Sequence, residues 1–415
     1  MIRKCYDEYD NNLIIKNKEI FKELHNKKKL SESIMNINFD DNLLIVPVTI
    51  NICLKKEKYN IDFIKYGKYI IDILNDGFSG NIKCKYKNKI YSKEYFKNKL
   101  LEKYNNKAEL YGNTIYNYIN NHLDTKIRFY LDSIEYYNIN FEVGFNDNDT
   151  EKLINNFFNC GFKIRKDNKY NLNINIMKFT CSTLGVSTFP WMKYLLNVPN
   201  IMMIFLDYTT IHQSISNTNF NQCKTLIHEA GHIFGLKHIF YNNTESLDVY
   251  KILLGKIIYD REFLKNINDD RDPKRKIHLN DIKTILIKIT KDKSDVKQLY
   301  NDIPYQKEPT LNNPIETNEY QIINNNLCNF CCFMDYSPDD VLTHFTESQK
   351  RIMHYFIIIF KSYLIKNSKK LESKLLDNKI KYFNNQNIKK EHELIIEYNI
   401  DNIFEYEIIE NTPID

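Results

Sequence analysis

His228-Glu229-Ala230-Gly231-His232-Ile233-Phe234-Gly235-Leu236-Lys237-His238 decides how this chain is read. On a helix, His228 and His232 lie four residues apart, so both imidazoles leave one face about a turn apart. That spacing lets two nitrogens reach one zinc ion at roughly 2.0–2.1 Å. Glu229 adjoins the first ligand but points off it, where it reaches a water rather than the metal. Gly235 is the natural stop, because glycine accepts the left-handed conformation that ends a helix and turns the chain. The turn then carries His238 back as a third ligand. Three protein ligands with a fourth position open are the mark of a catalytic zinc rather than a structural one.

Outward from that stretch, the 415 residues allow one large domain or two ordinary ones, and 43% hydrophobic residues suffice for a sizeable core. A net charge of +5 is spread over 58 basic and 53 acidic residues, which leaves no nucleic-acid footprint. Runs such as Lys27-Lys28-Lys29 read as solvated faces. The first residues carry no apolar signal segment, which predicts a cytoplasmic or non-classically released protein. The most apolar run, Tyr355 to Phe360, is too short to span a bilayer. Nine cysteines, an odd number, argue against a complete disulfide framework. Cys328, Cys331 and Cys332 have no second pair at zinc-ribbon spacing and read as buried or free thiols.

Residues 1–40 read as a polar N-terminal extension, 41–366 as one domain, and 367–415 as a tail that turns acidic from Glu391. Leu43 to Ile50 is an apolar, β-branched run that predicts a buried strand. Ile61 to Leu74 predicts a helix that ends before Asn75-Asp76-Gly77. Residues 83–122 are rich in Lys, Asn and Tyr, weakly periodic, and read as an insertion; a second insertion spans about 240–300. Strand-like runs fall at Ile127 to Leu131 and at Leu172 to Phe179, where apolar residues alternate with Asn, and Ile201 to Leu206 is a further apolar run. Thr346 and Gln349 form a capping box that starts a closing helix.

The motif HExxHxxGxxH is that of the metzincin metallopeptidases, and further stretches resemble their pappalysin family. Leu74 to Phe78 is similar to part of the family's opening, and Leu184 to Trp191 to its LGxxTFPW segment. Cys332-Phe333-Met334-Asp335-Tyr336-Ser337 resembles its Met-turn, and Asp302 to Gln306 its DTP segment. The resemblance runs from about Leu43 to Leu364. It implies an α+β fold: a twisted mixed sheet with backing helices above a zinc helix, and an irregular lower part with the Met-turn.

It further implies a zinc endopeptidase acting on protein or peptide substrates, with His228, His232 and His238 on the metal and Glu229 as general base. Met334 would form an apolar floor beneath the imidazoles, and Tyr336 would stabilise the oxyanion. Asp335 is expected to brace the turn rather than ligate the metal. Leu184 to Phe189 would border the cleft, with the Val186 N–H offered to an extended substrate. Relatives are often secreted, yet Val341-Leu342 stand where the family carries a disulfide cysteine. Calcium is a family possibility, for which Asp269-Asp270-Arg271-Asp272 offers oxygens without an EF-hand pattern. Cys5, beside Arg3 and Lys4, is a soft ligand that could reach the open metal position and impose latency. The rival reading is a zinc-binding interaction protein on the same scaffold with turnover lost.

Overall fold

β1 (Leu44–Cys53) is buried along its whole length and lies at the middle of the sheet. The computed structural model describes residues 43–54, 63–138, 171–179, 182–190, 202–216, 218–240, 302–304, 306–360, 364 and 389–393. Cys5, Asp269 to Asp272 and nearly all of 240–300 fall outside those residues.

The sheet contains β2 (Ile127–Asn138), β3 (Leu172–Met177), β4 (Gly185–Ser187), β5 (Met202–Asp207) and β8 (Lys389–Glu393), in the order β4-β5-β3-β1-β2-β8. All pairings are parallel except β4 on β5. The fold is therefore α+β with a mixed sheet. Pro47 sits in a central strand, where a missing N–H is ordinarily costly. A register shift between Val48 and Thr49 interrupts the β1–β2 ladder just beyond it. Through β8, part of the tail adds to the β2 edge.

Alternation gives the sheet two unlike faces. Val46, Val48, Ile50 and Ile52 join the main apolar core, under α1 (Phe63–Phe78). The opposite face is buried yet polar. There Asn51 donates to Asn175 Oδ1 at 2.9 Å, and Asn171 to Thr49 Oγ1 and Asp132 Oδ2, each at 2.8 Å. The Asn alternation of β3 is thus part of a cross-strand ladder, in which the amide nitrogens of Asn51, Asn171, Asn173 and Asn175 all donate.

Helix α1 runs through Asn75-Asp76-Gly77 instead of stopping before it. The Asn75 amide accepts from Phe129 N at 2.8 Å and donates to Phe129 O at 3.0 Å, pinning the helix to β2. At Gly77 the chain meets the helix of His228 and His232 so closely that an added Cβ would lie 2.5 Å from Ile227 Cδ1. Residues that signal a turn locally were spent on tertiary contact.

The stretch 83–122 holds two helices, α2 (Lys93–Tyr104) and α3 (Ala108–Ile119), joined by a short 3-10 turn. They build a second core, in which Phe96, Leu100 and Ile115 pack with Ile315, Phe330 and Cys331 of the C-terminal half. Tyrosines 91, 95, 104, 116 and 118 flank that core and take the place of aliphatic residues, so the helical period was hard to see. The C-terminal half adds a single turn, α5 (Pro314–Thr317), a β6–β7 hairpin (Ile322–Ile323, Asn326–Leu327) and α6 (Glu347–Phe360). The capping box forms as expected: Gln349 N donates to Thr346 Oγ1 at 3.3 Å, and Thr346 N to Gln349 Oε1 at 3.0 Å. No helix among the described residues is long and apolar enough to cross a membrane.

His344 lies in this lower half, its ring between Thr343 Oγ1 at 2.8 Å and Asn329 Nδ2 at 3.1 Å. Burial, with the nearby Lys87 charge, lowers its pKa from 6.5 to about 3. Between those values the unfolded chain binds the extra proton, so acid favours unfolding. Urea titrations at pH 7, 6, 5 and 4 should show a loss of up to about 1.4 kcal/mol per pH unit in the parent that is smaller in His344→Gln. Identical slopes would remove His344 as the cause.

Candidate metal centre

The zinc helix, α4 (Lys224–Ile233), is buried at every residue. Its first turn carries a buried cation, Lys224, which donates to the carbonyls of Asp339 and Leu342. Its end is a Schellman turn: Leu236 N bonds Gly231 O at 3.0 Å, and Gly235 N bonds His232 O at 2.9 Å. Gly235 holds φ +91°, and a Cβ there would lie 2.2 Å from the Phe356 ring. Both conformation and space demand glycine.

That turn returns His238 to the helix face. The Nε2 atoms of His228, His232 and His238 form a triangle with every side 3.2 Å. A tetrahedral ion at about 2.0–2.1 Å from each nitrogen requires separations of about 3.3–3.4 Å. The Nδ1 atoms of two rings fix the proton positions. His228 Nδ1 donates to Phe333 O at 2.6 Å, and His232 Nδ1 to Leu236 O at 2.7 Å. Their Nε2 lone pairs therefore converge, which is repulsive unless a cation sits among them. The donor set and its geometry fit zinc.

Beneath the helix, Met334 Sδ would lie 2.6 Å from a Cβ at Gly231, between the first two histidines. Met334 O also accepts from Ile239 N, just past the third. Asp335 is fully buried and braces the turn, accepting from Tyr336 N at 2.8 Å, Thr310 N at 3.0 Å and Gln306 Nε2 at 3.1 Å. Burial pushes its carboxyl up, and these donors oppose that shift. Tyr336 lies edge-on to His238 at 4.9 Å, and Phe240 stacks on His238 at 4.8 Å. Phe189, from the LGxxTFPW stretch, stands 4.9 Å from His232. The resemblance thus named residues that do meet here.

Glu229, wholly buried, accepts a 2.7 Å hydrogen bond from Ser187 Oγ on β4. Sequence reasoning missed Ser187, since nothing in the spacing ties a strand hydroxyl to a helix carboxylate 42 residues on. The expectation for Val186 needs correction. Leu184 O and Thr188 N bond Asp207 and Met203 of β5. Antiparallel pairs alternate, so Val186 also spends its backbone groups on β5, while those of Gly185 and Ser187 face away. Cys328, Cys331 and Cys332 are buried, and burial raises the thiols of Cys328 and Cys332 to about 12.

This is a metzincin-like arrangement, with sheet and backing helix above the histidine helix and a methionine turn below. No protein-family description and no curated protein matches the sequence. Among solved structures, the chain is similar to a Tannerella forsythia promirolysin mutant, at 15% identity over 89% of this chain and 99% of that one, with a TM-score of 0.49. It is similar to Tannerella forsythia mature mirolysin in complex with a cleaved peptide, at 14% identity, 78% and 97% coverage and a TM-score of 0.45. Mirolysin in complex with a small compound gives 15%, 76%, 92% and 0.45. The reading of the site rests on its own geometry.

Gly231→Ala tests the contact between helix and turn. The added methyl meets Met334 Sδ, so a stability loss of about 1–3 kcal/mol is expected, with easier release of zinc on dialysis. An unchanged melting temperature and metal content would show that Met334 moves aside freely.

Proposed function

We propose that the chain is a zinc-dependent endopeptidase of pappalysin type. The Nε2 triangle carries this reading: three imidazoles on one helix and its return turn, 3.2 Å apart, with a carboxylate adjoining the first. His228, His232 and His238 would hold the ion, and Met334 forms the floor of their helix. Zinc bound there supplies Lewis acidity, polarising a scissile carbonyl and making water acidic near neutral pH.

Glu229 takes the proton from the attacking water and later delivers it to the leaving amine. Tyr336, against His228 and His238, offers its hydroxyl to the oxyanion as charge develops. Phe189, Phe240 and Tyr336 enclose the site in aromatic surface and exclude other water. The catalytic unit covers 41–366, with 1–40 as an extension and 367–415 as a tail. Its substrates are protein or peptide chains.

Cleavage of an unstructured protein by the full chain should stop on chelation and return with zinc. Glu229→Gln should keep its zinc and lose activity by roughly 10^2–10^4-fold. Equal turnover in that variant would remove the carboxylate from the mechanism, and zinc without turnover in the parent would favour the binding-protein reading. In His238→Ala, zinc should be lost on dialysis; undiminished metal would place the third ligand elsewhere.

A further inference from the structure

We propose that Ser187 is a positioning residue for Glu229, an inference that rests on the peptidase reading. Gly185 and Ser187 are two apart on β4, so their side positions fall on one face of the strand. Both address the same carboxylate. The Ser187 hydroxyl donates to Glu229 Oε2 at 2.7 Å. Gly185 presents bare backbone, and a Cβ there would lie 2.8 Å from Glu229 Cγ and 2.9 Å from Oε1. The strand face thus holds the side chain between a donor on one oxygen and a wall against its stem and the other oxygen.

A glutamate on a helix keeps freedom about its last two side-chain torsions, and its carboxylate plane sweeps widely when nothing holds it. The hydroxyl fixes that plane. The 2.7 Å contact is made inside the protein, where a hydrogen bond to a charged carboxylate is among the stronger ones. Ser187 neither adjoins the histidines in sequence nor forms part of the metal triangle. It acts through Glu229 alone, presenting the carboxylate ready oriented to receive the water's proton. β4 is anchored to β5 by Val186 and its neighbours, so the donor rides on the sheet rather than on a loop.

The test uses the full chain with Ser187→Ala, Ser187→Thr and Glu229→Gln, assayed on a fluorogenic peptide that the parent cleaves. Crystal structures of the parent and both Ser187 variants supply a readout independent of turnover. Ser187→Ala should bind zinc as the parent does and keep its KM, with kcat lowered about 10- to 100-fold. Its Glu229 carboxylate should be rotated away from the parental orientation. Ser187→Thr, which keeps the hydroxyl, should restore that orientation and most of kcat.

An unmoved carboxylate in Ser187→Ala overturns the proposal, as does parental kcat, or equal loss in the alanine and threonine variants. These outcomes leave the peptidase reading intact provided Glu229→Gln is inert. Should Glu229→Gln be fully active, the peptidase mechanism itself fails, and the role of Ser187 with it.

Discussion

The hydrogen bond from His228 Nδ1 to the carbonyl of Phe333 joins the two halves of the protein at their most demanding point. It decides which nitrogen of the first histidine carries a proton, and thereby which is left to bind a cation. Phe333 belongs to the turn whose next residue places sulfur under Gly231 and whose carbonyl meets the chain beyond His238. One turn therefore touches the histidine stretch at its start, middle and end. Its position to within a few tenths of an ångström sets the shape of the triangle above it.

Much else in the fold serves to keep that turn in place. Asp335 ties it sideways to the segment around Gln306 and Thr310. Behind it, Phe333 N bonds His344 O, and Thr343 N bonds Cys331 O, a short parallel contact that backs the turn. α3 supports this layer, since Thr343 Oγ1 donates to Tyr118 O and the Tyr118 hydroxyl to Leu327 O. From above, the sheet sets Glu229 through Ser187, and α1 meets α4 closely at Gly77, which lies against the Ile227 side chain. The buried Lys224 ammonium, solvated by backbone carbonyls, fastens the start of α4 to the loop after the turn. An ammonium in such a site is costly without its acceptors, so the loop and the helix stand or fall together.

The metal triangle was legible because its geometry is local. Helical spacing and one glycine bring His228, His232 and His238 together with no long-range information. β1 was legible for a similar reason, since a short apolar β-branched run favours a sheet interior. Resemblance to a known family supplied the methionine turn, which no periodicity could have announced. Misreadings arose where a residue type does unusual work. Asn75 and Gly77 imitate a turn but serve packing. In α2 and α3, tyrosines take over the packing that the eye seeks in leucine. The Ser187 contact and the orientation of Val186 depend on register between β4 and β5, which a sequence read alone does not carry.

The histidine stretch has a consequence in time as well as in space. Its three histidines fall within eleven consecutive positions, whereas the carbonyl that fixes the tautomer of His228 lies 105 residues further on. During synthesis the nascent helix and its return turn emerge with a complete donor set long before Phe333 exists. The donor set is therefore complete within a short local segment, whereas the proton position of His228 is fixed only with the C-terminal half. His232 needs no such wait, since Leu236, four residues on, supplies its acceptor.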